Sequence, residues 1–143
     1  MTTRETDYSG KHKALAAFLE CEPSELEESR HDASAFEQGS REYLVLTDSE
    51  ADEKAREYIV DSLWAFNASF LASYTGLPDE VFTALQDKCE GANDTFRKLV
   101  ERADGGIDGL IAEAISADGR GHFLNNYDGN ENEQGEFFIY QIN

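Results

Sequence analysis

Cysteine and proline are scarce in this chain of 143 residues, with two of each: Cys21, Cys89, Pro23 and Pro78. No CxxC pair occurs, which excludes a zinc ribbon, and two reduced thiols are expected rather than a structural disulfide. Long apolar runs are also missing. The longest, residues 14–19 and 63–66, fall far short of the roughly 20 residues that span a bilayer. Residues 1–13 carry Arg4, Glu5, Asp7 and Lys11 and lack the apolar stretch of a secretory signal, so a soluble, cytoplasmic protein is expected. Positive charge is the last shortage. Twelve Lys and Arg face 30 Asp and Glu, leaving a net charge of -18 and arguing against direct binding to nucleic acid or to an anionic membrane. What the chain does have is apolar material, 40% hydrophobic residues with nine Phe and six Tyr. That is enough to fill the core of one domain over 1–143, with residues 1–10 flexible.

Local signals divide the chain into three parts. Leu15, Phe18 and Leu19 recur at helical spacing in residues 11–20, and Pro23 opens a second short helix. Residues 41–47 have the β-branched and aromatic content of a strand, and residues 36–40 turn a hairpin into it. Thr47 and Glu50 form a capping box that opens a long helix over 49–66, with Ala51, Ala55, Tyr58, Ile59, Ser62 and Phe66 on its packing face. Asn67 caps a helix that Gly76 ends, Pro78 starts another, and Gly91, Gly105 and Gly106 punctuate two more. At the C-terminus His122, Phe123 and Leu124 and then residues 136–142 read as strands joined by a polar loop over 125–135. The expectation is an α+β fold: a central helical block and an antiparallel sheet of about four strands, built from an N-terminal and a C-terminal hairpin, with helices on one face.

The acidic residues supply the candidate binding surface. Glu50, Glu53, Glu57 and Asp61 line one stripe of the long helix, about one turn apart, and Trp64 and Val60 fall on that side, where they are either apolar anchors amid carboxylates or buried beneath the helical block. Asp128, Glu131 and Glu133 add charge in the C-terminal loop, where Arg120 is the single cation after Arg102. Eighteen net charges equal those on about 30 Å of duplex DNA, but spread evenly over a folded surface they are several times sparser, so mimicry of a nucleic acid requires their concentration on one face. An ordinary solvated helix face and a salt-adapted surface are the competing accounts of the same charge.

Other motifs carry less. The loop beginning at Asp128 alternates oxygen ligands as a calcium loop does, but Glu133 stands where an EF-hand requires glycine and Ile139 where it requires glutamate, so neither metal nor cofactor is expected. Arg120 and His122, with Asp128 to orient the imidazole, make the one constellation a small-molecule enzyme could use. The glycines around them lack P-loop spacing. Cys21 and Cys89 are each followed by glutamate, which disfavours a nucleophilic thiolate.

The segments Leu46-Thr47-Asp48-Ser49-Glu50-Ala51-Asp52, Ser62-Leu63-Trp64-Ala65-Phe66-Asn67 and Asp118-Gly119-Arg120-Gly121-His122-Phe123-Leu124, the last followed by Tyr127-Asp128-Gly129, resemble uncharacterised small acidic proteins of phage and metagenomic origin. The resemblance implies a viral setting, hence a host-cell cytoplasm, and no mechanism. With charge and size, it leads to the expectation of a non-catalytic inhibitor presenting a negative face to a host protein with a basic nucleic-acid-binding surface, such as a restriction or CRISPR complex. A small adaptor whose acidity serves solubility is the alternative, the Arg120/His122/Asp128 enzyme a third, and a homodimer stays open.

Overall fold

In the computed structural model, which describes residues 8–143 apart from the side chain of Cys89, the chain is α+β. Its described residues form seven α-helices and a single antiparallel sheet of five strands. They divide into two compact units, one holding the sheet and made of residues up to Lys54 together with Gly119–Asn143, the other made of Ala55–Asp118.

In the sheet unit, Ser9 accepts the His12 N–H and starts helix α1 (Gly10–Leu19). Residues 1–7, part of the segment expected to be flexible, lie outside the described residues; Ser9 forms this cap and Gly10 the first residue of the helix. The strands are β1 (Glu27–Glu28), β2 (Ala35–Gln38), β3 (Arg41–Leu46), β4 (Asn132–Gln134) and β5 (Phe137–Gln141), in the order β1-β2-β3-β5-β4. The expected hairpin at Gly39 forms, the glycine taking a φ of 62° that the two-residue connection demands. β1 is a strand the sequence reading lacks; Pro23–Glu25 before it is a single 3₁₀ turn.

Alternation sorts the strands into two faces. Phe36, Tyr43, Val45 and Ile139 lie on one, packed with Leu15 and Ala16 of α1 and with Leu26 in a single core cluster. Leu44, Leu46, Phe138 and Tyr140 lie on the other, as their register sets them. Helix α2 (Asp48–Asp61) begins in this unit, and helix α7 (Arg120–Leu124) contributes Arg120, whose guanidinium sits 4.8 Å from the centre of the Phe138 ring. The sheet therefore carries helical residues on both faces, not one.

The C-terminal hairpin differs from expectation. His122, Phe123 and Leu124 are helical because Gly119, at φ 83°, turns the chain into α7 and the Asn125 N–H closes the turn on the Gly121 carbonyl. Phe123 and Leu124 are buried, so their apolar character reflects burial and not strand pairing. β4 instead lies inside the expected loop, and the turn shrinks to Gly135 and Glu136.

The helical unit holds the rest of α2, α3 (Ala68–Thr75), α4 (Asp79–Gln86), α5 (Asn93–Glu101) and α6 (Gly106–Asp118). Ile59, Leu63, Leu71, Phe82, Phe96, Val100 and Leu110 are fully buried, and Phe82 stacks on Phe96 at 5.9 Å. Asn67 and Gly76 cap α3 as expected. α2 stops at Asp61 rather than reaching Phe66: Asn93 donates to the Val60 carbonyl and accepts the Trp64 N–H, closing the helix end into a 3₁₀ turn over Leu63–Ala65.

Candidate acidic interface

The capping box at the start of α2 is reciprocal, Thr47 N–H donating to Glu50 Oε1 and Glu50 N–H to Thr47 Oγ1. Lys11 reaches the same carboxylate at 2.7 Å, and its hydrogen bond, followed by that from the Thr47 N–H, holds the Glu50 carboxyl below its ordinary range. Glu50 is thus neutralised from α1 and is not a free member of the expected stripe.

Arg120 draws in more of the acidic residues. Its guanidinium donates to Asp48 Oδ1 and Asp52 Oδ1, both at 2.9 Å, to the Asp48 carbonyl at 3.0 Å and to Glu131 Oε1 at 2.8 Å. The planar fork suits such a cluster, since its donors point to several acceptors at once. The Arg120 side chain is 10% exposed; burial works against its charge, but the hydrogen bonds to Glu131, Asp48 and Asp52 outweigh that and raise its pKa. On the sheet side the Tyr140 hydroxyl, fully buried, donates to Glu131 Oε1. Burial first, then this bond and the Glu131 charge, push the Tyr140 pKa up. Glu131 is therefore structural, tying the C-terminal loop to the sheet.

The remaining expected residues are dispersed. Asp128 accepts the Asn130 N–H in its own turn, below the Asn125 side chain that accepts from Tyr127 and Asp128. Glu133 is exposed on β4, one of the two edge strands of the sheet. Glu53, Glu57 and Asp61 are exposed on α2, Glu53 in the sheet unit and the other two in the helical unit. Trp64 lies beyond the end of α2, half-buried in the 3₁₀ turn. His122 is exposed with its ring edge-on to Phe123 at 5.0 Å, while Arg120 and Asp128 have the partners just named. Burial, then the nearby Glu25 and Glu22, raise the Cys21 thiol pKa. Among the described residues no group of three or more His, Cys, Asp or Glu is arranged to hold a metal ion, and no helix is long and apolar enough to cross a membrane.

The sheet register assembles a different acidic row. Glu27 of β1 lies directly opposite Glu37 of β2, and Glu37 directly opposite Glu42 of β3. Like charges directly opposite destabilise a sheet by a few tenths to about 1 kcal/mol per pair. None of the three has an ion-pair partner among the described residues, where the ion-paired cations are Lys11, Arg56 (with Asp108) and Arg120. Sequence reasoning missed this row because each glutamate looks isolated in its own segment; alternation with Phe36 and Tyr43 was the available signal that Glu37 and Glu42 share the opposite face. No protein-family model matches the chain, and no curated protein or solved structure matches it either.

Proposed function

We propose that the protein is a non-catalytic acidic binding protein, a phage-type inhibitor that offers a nucleic-acid-like negative face to a basic nucleic-acid-binding surface on a host protein, such as a restriction or CRISPR defence complex. The observation that carries the reading is the cross-strand row Glu27, Glu37, Glu42. Neighbouring strands lie about 4.8 Å apart, so the row carries one charge per ~4.8 Å. One nucleic-acid strand carries one per about 3.4 Å of axis, and the two linear densities are within a factor of about 1.5. A fold that only needed solubility could scatter these charges without the repulsion of direct opposition. Glu53, Glu57, Asp61 and Glu133 add exposed charge on other elements.

The test is affinity capture from bacterial lysate at two salt concentrations, followed by elution with duplex DNA or RNA. Mimicry predicts capture of a nucleic-acid-binding protein that is lost between about 50 and 200 mM salt and released by added nucleic acid, because both compete for the same basic residues. Capture of one protein that is indifferent to both salt and nucleic acid overturns the reading in favour of an adaptor.

A further inference from the structure

The face of the sheet that carries the glutamate row is closed at one end and open at the other. At the closed end Arg120 lies over Phe138, and Tyr140 and Leu46 are buried. At the open end a concavity of about 600 Å³ lies against the strands, lined by Glu27, Glu37 and Glu42 and by Arg30, His31 and Ile142. Glu27 and Glu37 are exposed, and Glu42 and Ile142 are half-buried. The volume is within the range of small-ligand pockets and equals that of about 20 waters, so it admits more than one long side chain. Glu28 also lines it, and the four glutamates against Arg30 leave the lining strongly negative.

We propose that this open half-face is a docking surface for an extended, arginine-bearing segment of a partner protein, an inference that rests on the reading above and names the chemistry of its contact. Charge complementarity selects a cationic occupant. A row of neighbouring carboxylates favours arginine over lysine, because one planar guanidinium directs several donors in fixed directions to more than one carboxylate, whereas an ammonium is a compact, strongly hydrated point charge. The protein's own Arg120 provides the precedent on the same sheet face, gathering Asp48, Asp52 and Glu131 around one guanidinium above Phe138. Ala35 and Ile142 supply apolar contact for the aliphatic stem of an inserted side chain.

The experiment titrates the full chain, ¹⁵N-labelled, with a nona-arginine peptide, a nona-lysine peptide and spermine. The nona-arginine peptide is expected to shift the amides of Glu27, Glu28, Arg30, Ala35, Glu37 and Glu42 and to bind more tightly than the other two ligands. Each of Glu27→Gln, Glu37→Gln and Glu42→Gln is expected to weaken it about tenfold. Because these changes relieve like-charge opposition, the variants should fold at least as stably as the parent, which a thermal melt checks. Spermine or nona-lysine binding as tightly as nona-arginine overturns the arginine assignment. Binding abolished by Glu53→Gln with Glu57→Gln, but not by the sheet variants, overturns the location and leaves the proposed function standing. Peptide binding at the sheet in a protein whose lysate partner ignores salt and nucleic acid retains the surface and removes the mimicry reading.

Discussion

Replacing Arg120 by alanine tests whether the charge cluster holds the C-terminal loop to the sheet. The largest loss is the hydrogen bond to Glu131, which is 31% exposed and left facing the buried Tyr140 hydroxyl; a hydrogen bond to a charged group contributes about 1.5–3 kcal/mol. Asp48 and Asp52 are 73% and 63% exposed, resolvate on loss of the partner, and account for about 0.5 kcal/mol each. The contact over Phe138 adds about 0.5–1 kcal/mol. The sum is about 3–5 kcal/mol. With a urea slope near 2 kcal/mol per molar, the midpoint of the sheet unit should fall by roughly 1.5–2.5 M. Far-ultraviolet circular dichroism reads the whole chain, and amide exchange at Val45 and Ile139 reads the sheet, which Trp64 fluorescence cannot because that residue is in the helical unit. Arg120→Lys retains the charge without the fork and should lose about half as much. A loss below about 1 kcal/mol in the alanine variant, or full recovery with lysine, refutes the argument that one guanidinium organises the three carboxylates.

Two further outcomes follow from the same region. The raised Tyr140 pKa means that the folded state holds the phenolic proton more tightly than the unfolded chain, so this contribution is present below the unfolded value near 10 and disappears as pH rises through the folded one. Alkaline unfolding, followed by tyrosinate absorbance, should therefore be delayed in Tyr140→Phe relative to its own stability at neutral pH, which falls by about 1–2 kcal/mol; an unchanged alkaline profile contradicts the assignment. Gly121→Ala places a Cβ against the Gly129 carbonyl, 2.8 Å from the Asn130 carbonyl carbon and 2.9 Å from the Glu131 nitrogen, all backbone atoms that cannot swing away. It should cost about 2–3 kcal/mol and weaken amide-exchange protection in α7 and the following turn, and a neutral substitution would mean that the two segments are free to separate.

Those elements that announce themselves locally were legible. The Thr47 and Glu50 box, the Asn67 cap and the Gly76 end are each made within a few residues, and the structure contains all three. The strand after Gly39 was legible for the same reason, since alternation and turn chemistry are short-range. Errors came where a distant residue intervened. α2 ends at Asp61 because Asn93, about 30 residues further on, occupies its last turn, and that leaves Trp64 in a 3₁₀ turn beyond the helix on which the sequence reading placed it. Residues 122–124 are apolar enough for either state, and Gly119 with the backbone packing of Gly121 decided for a helix.

From the sequence alone came the total charge, the scarcity of cations, the α+β class and the elements with short-range signals, because each depends on composition or on neighbours along the chain. Which carboxylates remain free was settled only by the tertiary structure. Lys11 is 39 positions from Glu50, and Arg120 is 72 from Asp48, yet these contacts remove Glu50, Asp48, Asp52 and Glu131 from the pool of unpaired charge. Glu27, Glu37 and Glu42, scattered over three segments, become one row because strand register, a property of pairing between segments, brings like side chains onto one face of the sheet.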